Sequence, residues 1–251
     1  MSLEEKLEEV YVSPDGDDDN PGTKDYPKKT IVDALDNVCE HGTIYLENGI
    51  YSESGINIIN HVTIIGENID ETIISGQETG RPIFIIYEFK VDFKNFNITN
   101  GFEDSGGAIN NYGTLTLENI KLDENEATTV GGAICNDGLL IIKNCIFKNN
   151  HSMFNGGAVY NLDTMEIYDS EFINNASEED GGAIYNLNLM KIDGCKFINN
   201  ESRTNGAAIC HSENNLSISN CLFKDNDDLN SDTGIYNETS AEILIEDSVF
   251  E

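Results

Sequence analysis

The 251-residue sequence has no tryptophan, four prolines and few cations: Lys and Arg total 14 against 46 Asp and Glu, a net charge of −32. The shortage of cations excludes nucleic acid as a partner, because that affinity comes from neutralising phosphates with Lys and Arg. It argues equally against docking on anionic lipid. The surplus of acid fits solubility, salt adaptation or mutual repulsion, and it also fits recognition of cations or basic partners. Long apolar runs are missing as well. Stretches such as 83–87 are far too short to span a bilayer, and no secretory h-region is present. Both termini read as boundaries within a longer protein, so a signal and an anchor are expected outside this sequence. The six cysteines (Cys39, Cys135, Cys145, Cys195, Cys210 and Cys221) form no CxxC and no zinc spacing. The four histidines, His41, His61, His151 and His211, are scattered and suggest no catalytic triad.

What the sequence does have is a repeat. Gly-Gly-Ala-aliphatic begins at Gly106, Gly131, Gly156 and Gly181, and a Gly-Ala-Ala-Ile variant begins at Gly206, each step being 25 residues. A second motif runs in phase. It reads Leu140, Ile142, Cys145, Phe147, Asn150 in one copy and Met165, Ile167, Ser170, Phe172, Asn175 in the next. Aliphatics two apart mark strands with one buried face. The alternation breaks at Asn119, Asn144, Asp169, Gly194, Asn220 and Asp247, which are turn formers. Each repeat is therefore about three short strands joined by tight turns. No helical pattern separates them, so a βαβ arrangement is excluded. Coils of this length stack as a β-solenoid, about 4.8 Å apart, and each sequence column becomes a ladder of like residues.

The ladders are predictable by name. Leu122, Phe147, Phe172, Phe197 and Phe223 stack in the core. Ile120, Cys145, Ser170, Cys195, Cys221 and Ser248 form a neighbouring inward column in which a thiol acts as a small hydrophobe, and because Ser170 and Ser248 share it the column needs no bridge and free thiols are expected. Two asparagine columns, Asn125 to Asn226 and Asn111 to Asn237, are placed to bond turn amides and one another. If buried, Asn150, Asn175 and Asn200 cannot carry glycans although each starts an N-x-Ser sequon. Before residue 100 the coils are less regular. Thr30 to Cys39 has helical spacing, with Thr30 as N-cap and Asp33 placed like the acid of a capping box. This helix would plug the open end of the solenoid.

The paired motifs, GGAI at Gly106, Gly131 and Gly181 with FKNN at Phe147 and FINN at Phe172 and Phe197, resemble the repeats of chlamydial polymorphic membrane proteins. The N-terminal half, with VYVSPDGDDDNPGT from Val10, GTIYLENGIYSE from Gly42 and HVTIIGENIDETIISG from His61, is similar to the adhesin-like surface proteins of methanogenic archaea. Those share the pectin-lyase-like fold. The resemblance implies an all-β right-handed parallel β-helix with a short N-terminal capping helix. Residues 1–41 would form the first strand, an acidic loop and the cap, and residues 42–251 the β-helix. It also implies a non-catalytic, adhesin-like scaffold at the cell surface or outside the cell, meeting a host-cell or polysaccharide surface.

The alternative is a carbohydrate-active enzyme, a polysaccharide lyase or hydrolase, on the same fold. A lyase needs a base and cations against developing charge, and the arginines are only Arg81 and Arg203. Gly49 to Glu53 resembles the GxYxE string of pectin methylesterases without the rest of that pattern, so a structural role is expected. No catalytic residue is assigned, and no cofactor is required. Asp15, Asp17, Asp18 and Asp19 around Gly16 are the best metal ligands, for Ca²⁺, with a solvated acidic turn as the alternative. The loops between each ladder Asn and the next Gly-Gly vary from coil to coil and stack into one side, a natural binding face. Glu178, Glu179, Asp180 and Glu201 are its densest charge.

Overall fold

The computed structural model describes residues 6–76, 84–227 and 234–251. Strand β1 (Leu7–Val12) leads through the acidic loop into helix α1 (Ile31–Asn37), and strand β2 (Val38–Leu46) follows directly. Then come β3 (Gly49–Ser52), β4 (Ile56–Ile58), β5 (Val62–Gly66), β6 (Thr72–Ser75) and β7 (Phe84–Thr99). β8 (Phe102–Ser105) and β9 (Ile109–Asp123) complete the entry into the regular part, where every strand is five residues or shorter. Pairing is parallel throughout the named strands and joins each coil to the next. β1 pairs with β2, β2 with β5, β5 with β7 and β7 with β9. From there the partners are residues one repeat apart, such as Phe147 with Phe172 and Phe172 with Phe197. This is a right-handed parallel β-helix.

Three left-handed corners shape each regular coil. In one coil they are Asn144, Asn149 and Gly156, with φ of 51°, 55° and 71°. The next repeats them at Asp169, Asn174 and Gly181. Asn and Asp tolerate this region because their short polar side chains bond locally, and Gly enters it without steric penalty. The second glycine of each pair answers to a different constraint. A Cβ on Gly157 would run into the carbonyl of Gly182 in the adjacent coil. The Gly-Gly motif is thus one corner plus one close backbone approach.

The core is a set of ladders. Phe147, Phe172, Phe197 and Phe223 are buried and lie face to face, and the exposed Phe250 ends the stack, with centroids 4.6–4.9 Å apart and planes within 9°. Isolated rings favour offset or edge contacts. Here the coil spacing imposes the stack. Cys145, Ser170, Cys195 and Cys221 line the neighbouring column at 3% exposure or less, and all six cysteines are free thiols. Burial pushes the Cys145 thiol up to about 12, which keeps it protonated and inert.

Both asparagine columns are buried and chained. Asn125 Nδ2 donates to Asn150 Oδ1 at 3.0 Å, Asn150 to Asn175 at 2.9 Å and Asn175 to Asn200 at 3.0 Å. Each of these amides also bonds a backbone carbonyl of the preceding coil, as Asn175 does with Phe147 O at 3.0 Å. In the second column Asn111, Asn136, Asn161 and Asn186 are chained in the same way at 2.6 Å, and each amide, as that of Asn136 with Gly138 O, also bonds a carbonyl two residues further on. His211 then takes the Asn position. Its Nδ1 accepts from Asn186 Nδ2 at 2.8 Å and its Nε2 faces Asn214 O at 3.2 Å. The ring is therefore neutral, with the proton on Nε2. Burial holds it below the usual histidine range.

The N-terminal cap departs from a reciprocal capping box. Thr30 Oγ1 does accept from Asp33 N at 3.2 Å. The Thr30 amide, however, donates to Asp18 Oδ1 at 2.9 Å rather than to Asp33. Asp33 is drawn away by the Lys28 ammonium, 2.7 Å from its Oδ2. An ion pair with a buried lysine outcompetes the local amide.

Two measurements check this architecture. Phe172→Ala opens the centre of the ring stack and should lower stability by about 3–5 kcal/mol in urea unfolding followed by circular dichroism. A cost below about 1 kcal/mol would show that the ring is not packed in the core. His211 titrates in the folded chain below its unfolded value, so its contribution is complete above about pH 6.5 and is lost as pH falls through the folded pKa. His211→Asn should remove that dependence. The variant's melting temperature should then stay flatter than the parent's between about pH 7.5 and about pH 5.

Candidate functional site

Two regions hold the predicted residues. The first is the acidic loop before α1. Asp18 is absorbed by the fold. Its carboxylate accepts from Lys29 N and Thr30 N, both at 2.9 Å, and from the Thr30 hydroxyl. Lys28 Nζ donates to Asp18 O at 2.7 Å and is itself buried. Asp17 Oδ1 accepts from Asp19 N at 3.1 Å, a local Asx turn. Among the described residues the Asp15 carboxylate and the second Asp17 oxygen make no hydrogen bond or ion pair. A cavity of about 580 Å³ beside the loop is lined by Asp18, Asp19, Lys28 and Asp33. On that lining the Lys28 ammonium pairs with the Asp33 carboxylate at 2.7 Å.

Helix α1 has a further acidic partner, the residue that follows strand β3. Glu53, the last residue of the GIYSE string, accepts from Ile31 N at 2.8 Å and Val32 N at 3.1 Å, one carboxylate oxygen each. These are orphan amides of the first turn. Burial raises the Glu53 carboxyl above the usual range, against the two amides, which lower it. Tyr51 of the same string is buried and donates to Val12 O at 3.0 Å and Glu47 O at 2.8 Å. The string thus serves the cap.

The second region is the stacked loop face. β8 pairs with Glu126–Val130, and the strands His151–Ser152, Ala176–Ser177 and Glu201–Ser202 continue the same parallel sheet. Ala127, Ser152, Ser177 and Ser202 point inward and are buried. Glu126, His151, Ala176 and Glu201 fall in one outer column. His151 Nε2 lies 3.5 Å from Glu178 Oε1 and its Nδ1 lies 3.9 Å from Glu126 Oε1. The Arg203 guanidinium pairs with the other Glu178 oxygen. Glu179 and Glu201 are exposed. Asp180 turns away. Its Oδ1 accepts from Thr204 Oγ1 at 2.6 Å and Asn205 Nδ2 at 2.7 Å, and its carboxylate lies with the Cys210 thiol and the Glu238 carboxylate, ligand atoms within 4.8 Å of one another. The four predicted binding residues therefore share a face without converging on one point. Met153 and Phe154 stand exposed beside them, at 46% and 45%.

Charge is segregated around the coil. From residue 90 onward every lysine lies on a strand of the other faces: Lys90, Lys94, Lys121, Lys143, Lys148, Lys191, Lys196 and Lys224. Several are paired there, as Lys94 with Glu118 and Lys196 with Glu171, both at 2.7 Å. The loop face keeps Glu103, Asp104, Glu126, Glu178, Glu179 and Glu201 against His151 and Arg203.

Glu40, His41 and His61 also bring ligand atoms within 4.8 Å. His41 and His61 stack at 4.7 Å. His61 Nδ1 accepts from Lys90 N at 2.8 Å, so its neutral ring carries the proton on Nε2, the nitrogen that faces Glu40. Of the arginines a lyase would call on, Arg203 is 68% exposed in its pair with Glu178, and Arg81 lies outside the described residues. No helix among the described residues is long and apolar enough to cross a membrane.

Two segments of the chain, 144–162 and 169–187, match the Chlamydia polymorphic membrane protein repeat. No curated protein matches the chain. Among solved structures, 96% of the chain aligns with a pectin methylesterase in complex with a hexasaccharide, covering 88% of that protein at a TM-score of 0.55 and 11% identity. A rhamnogalacturonan lyase aligns at 0.46 and 13% identity, and the ORF18 protein of Geobacillus virus E2 at 0.45 and 14%. The chain covers 67% and 62% of those two proteins. The likeness to the pectin methylesterase, at 11% identity, is one of fold, a parallel β-helix, and fold does not carry activity with it.

Glu53→Gln tests the assignment of the GIYSE string to the cap. It keeps one acceptor and turns an amide donor toward the helix amides. Hydrogen exchange over residues 31–37 should quicken by an amount equivalent to about 1–2 kcal/mol, with exchange in the strands from 109 onward unchanged. Unaltered protection of α1 would remove Glu53 from the cap.

Proposed function

We propose that this chain is a non-catalytic, adhesin-like β-helix scaffold of the cell surface or extracellular space, which meets a host-cell or polysaccharide surface through its stacked loop face. The observation that supports it most is the division of labour around the coil. Ladders occupy the interior, paired lysines occupy the strand faces, and the variable loops are left with unpaired acid. Solenoids bind through such extended continuous faces. The Chlamydia polymorphic membrane protein repeats agree with display outside the cell.

The acid on that face sets the chemistry of the partner. Glu179 and Glu201 are solvated and unpaired, and Glu178 already holds Arg203 and His151. A face of this kind steers cationic or hydroxyl-rich groups and repels uronic acids. Met153 and Phe154 add an apolar patch at its centre.

The carbohydrate-active alternative rests on the fold shared with the pectin methylesterase. Glu53, the residue that suggested it by motif, is committed to helix amides. We read the fold as a frame here. Beads coated with the protein, scored for retention on cultured epithelial cells and on neutral, acidic and amino polysaccharides, test the reading. Retention should be strongest on cells or on the amino polymer, fall as salt rises, and drop severalfold in the triple variant E178Q/E179Q/E201Q. Release of unsaturated or reducing ends from any polymer in the same panel would overturn the non-catalytic assignment.

A further inference from the structure

The sequence contains six N-x-Ser/Thr sequons, at Asn97, Asn150, Asn175, Asn200, Asn215 and Asn237. The coil explains three of them without any glycan. A ladder Asn and the inward serine of the loop strand are two residues apart and both face the core. Asn150 with Ser152, Asn175 with Ser177, and Asn200 with Ser202 therefore spell sequons as a by-product of packing. All six of these side chains are at 4% exposure or less. Each of the three asparagines spends its Nδ2 on a backbone carbonyl and on the next Asn. Asn97 is 9% exposed. At Asn237, Nδ2 donates to Ala241 O at 2.9 Å, and the Thr239 hydroxyl of that sequon bonds Ser212 O.

Asn215-Leu216-Ser217 is built the other way round. Leu216 is the inward residue, at 1% exposure, so Asn215 and Ser217 both face outward. Asn215 is exposed and Ser217 half-exposed. Among the described residues neither side chain makes a hydrogen bond. The Asn215 amide nitrogen and the Ser217 hydroxyl are thus free on one surface, as an acceptor site needs. Asn214 just before it holds a left-handed turn, φ 64°, and Asn215 O is held by Met190 N at a long 3.4 Å. The backbone here is among the more loosely bonded entries into a strand.

We propose that Asn215 is the N-glycosylation acceptor of the folded chain and that the ladder sequons are not acceptors. The donor is a polyprenyl-pyrophosphate-linked oligosaccharide. The Asn215 Nδ2 attacks the anomeric carbon, a C–N bond forms and the bond from that carbon to the pyrophosphate oxygen breaks. The amide proton passes to a base of the transferring enzyme, and polyprenyl pyrophosphate leaves. Nothing is oxidised or reduced. A glycan at Asn215 would stand on a strand face, away from the loop face assigned to binding, and the inference does not depend on that assignment.

The test uses a purified oligosaccharyltransferase chosen because it modifies free peptides spanning residues 212–220 and 147–155. It is incubated with the native protein and the lipid-linked donor, and glycopeptides are mapped by mass spectrometry. The expected result is one glycan, at Asn215, with Asn150, Asn175 and Asn200 unmodified. N215Q should lose the added mass while keeping the parent's melting temperature. A native protein left unmodified at Asn215 by an enzyme that modifies the peptide, or one modified at any ladder asparagine, overturns the proposal.

Discussion

Everything in this molecule depends on one constraint: successive coils must superpose residue on residue, because each coil supplies the hydrogen-bond partners of the next. The strands are too short to be stable alone, and a strand of two or three residues gains its bonds only from neighbours above and below. Superposition needs the chain to turn by the same amount at the same place in every coil. The left-handed corners do this. Asn144, Asp169, Gly194, Asn220 and Asp247 differ chemically, and all reach the same φ region. Without the corners the ladders would drift out of register. Without the ladders the corners would have nothing to align.

The buried asparagines are the second half of that constraint. A backbone that turns tightly leaves amides and carbonyls unpaired inside the coil, where each costs about 1–3 kcal/mol if left so. A ladder Asn satisfies both kinds at once. Asn175 Oδ1 accepts from the Asn150 backbone N–H at 3.1 Å and from its side chain at 2.9 Å, and Asn175 Nδ2 donates to Phe147 O. Such a network is cooperative: full it rigidifies the coil, and broken it leaves several groups unpaired together. His211 keeps the network because a neutral imidazole offers an acceptor and a donor in about the same places. The substitution adds a titratable group to a column that otherwise has none.

Legibility from sequence follows the range of the forces involved. The period, the inward columns and one set of corners could be read because each coil repeats them, so the sequence states them many times over. The second set of corners, at Glu124, Asn149, Asn174, Asn199 and Asp225, was visible only as the residue before each ladder Asn and carried no pattern signal of its own. The cap was half legible. Thr30 and α1 show helical spacing and capping chemistry, which are local. Glu53 lies 22 residues from the amide it binds, and Asp18 lies 12 residues from Thr30. No spacing rule links them. The candidate binding face was legible as a place, since loops between fixed corners must stack. Its internal arrangement was not. Nothing in Glu178-Glu179-Asp180 says that the first pairs with Arg203, the second stays in water and the third turns toward Cys210.

That last difference shows how the fold separates stability from recognition. Residues that answer to the coil spacing have little freedom, because each is bound both upward and downward. The loops between a ladder Asn and the next left-handed glycine are bonded coil to coil through their backbone, as Met153 N is to Ala127 O and Glu178 N to Ser152 O, and the coil spacing leaves their outward side chains free to differ. Within them the sequence changes from Glu-Ala-Thr-Thr-Val to His-Ser-Met-Phe-Asn to Ala-Ser-Glu-Glu-Asp in successive coils, while the flanking corners stay put. The second residue of each loop faces inward and is buried, as Ala127, Ser152 and Ser177 are. A surface of this construction can vary its charge and apolar content coil by coil at little cost to the core. The net charge of −32 is tolerable for the same reason. On an extended solenoid the repulsion between distant coils is screened beyond about 10 Å, and the lysine-bearing strand faces offset the acid nearest the backbone ladders.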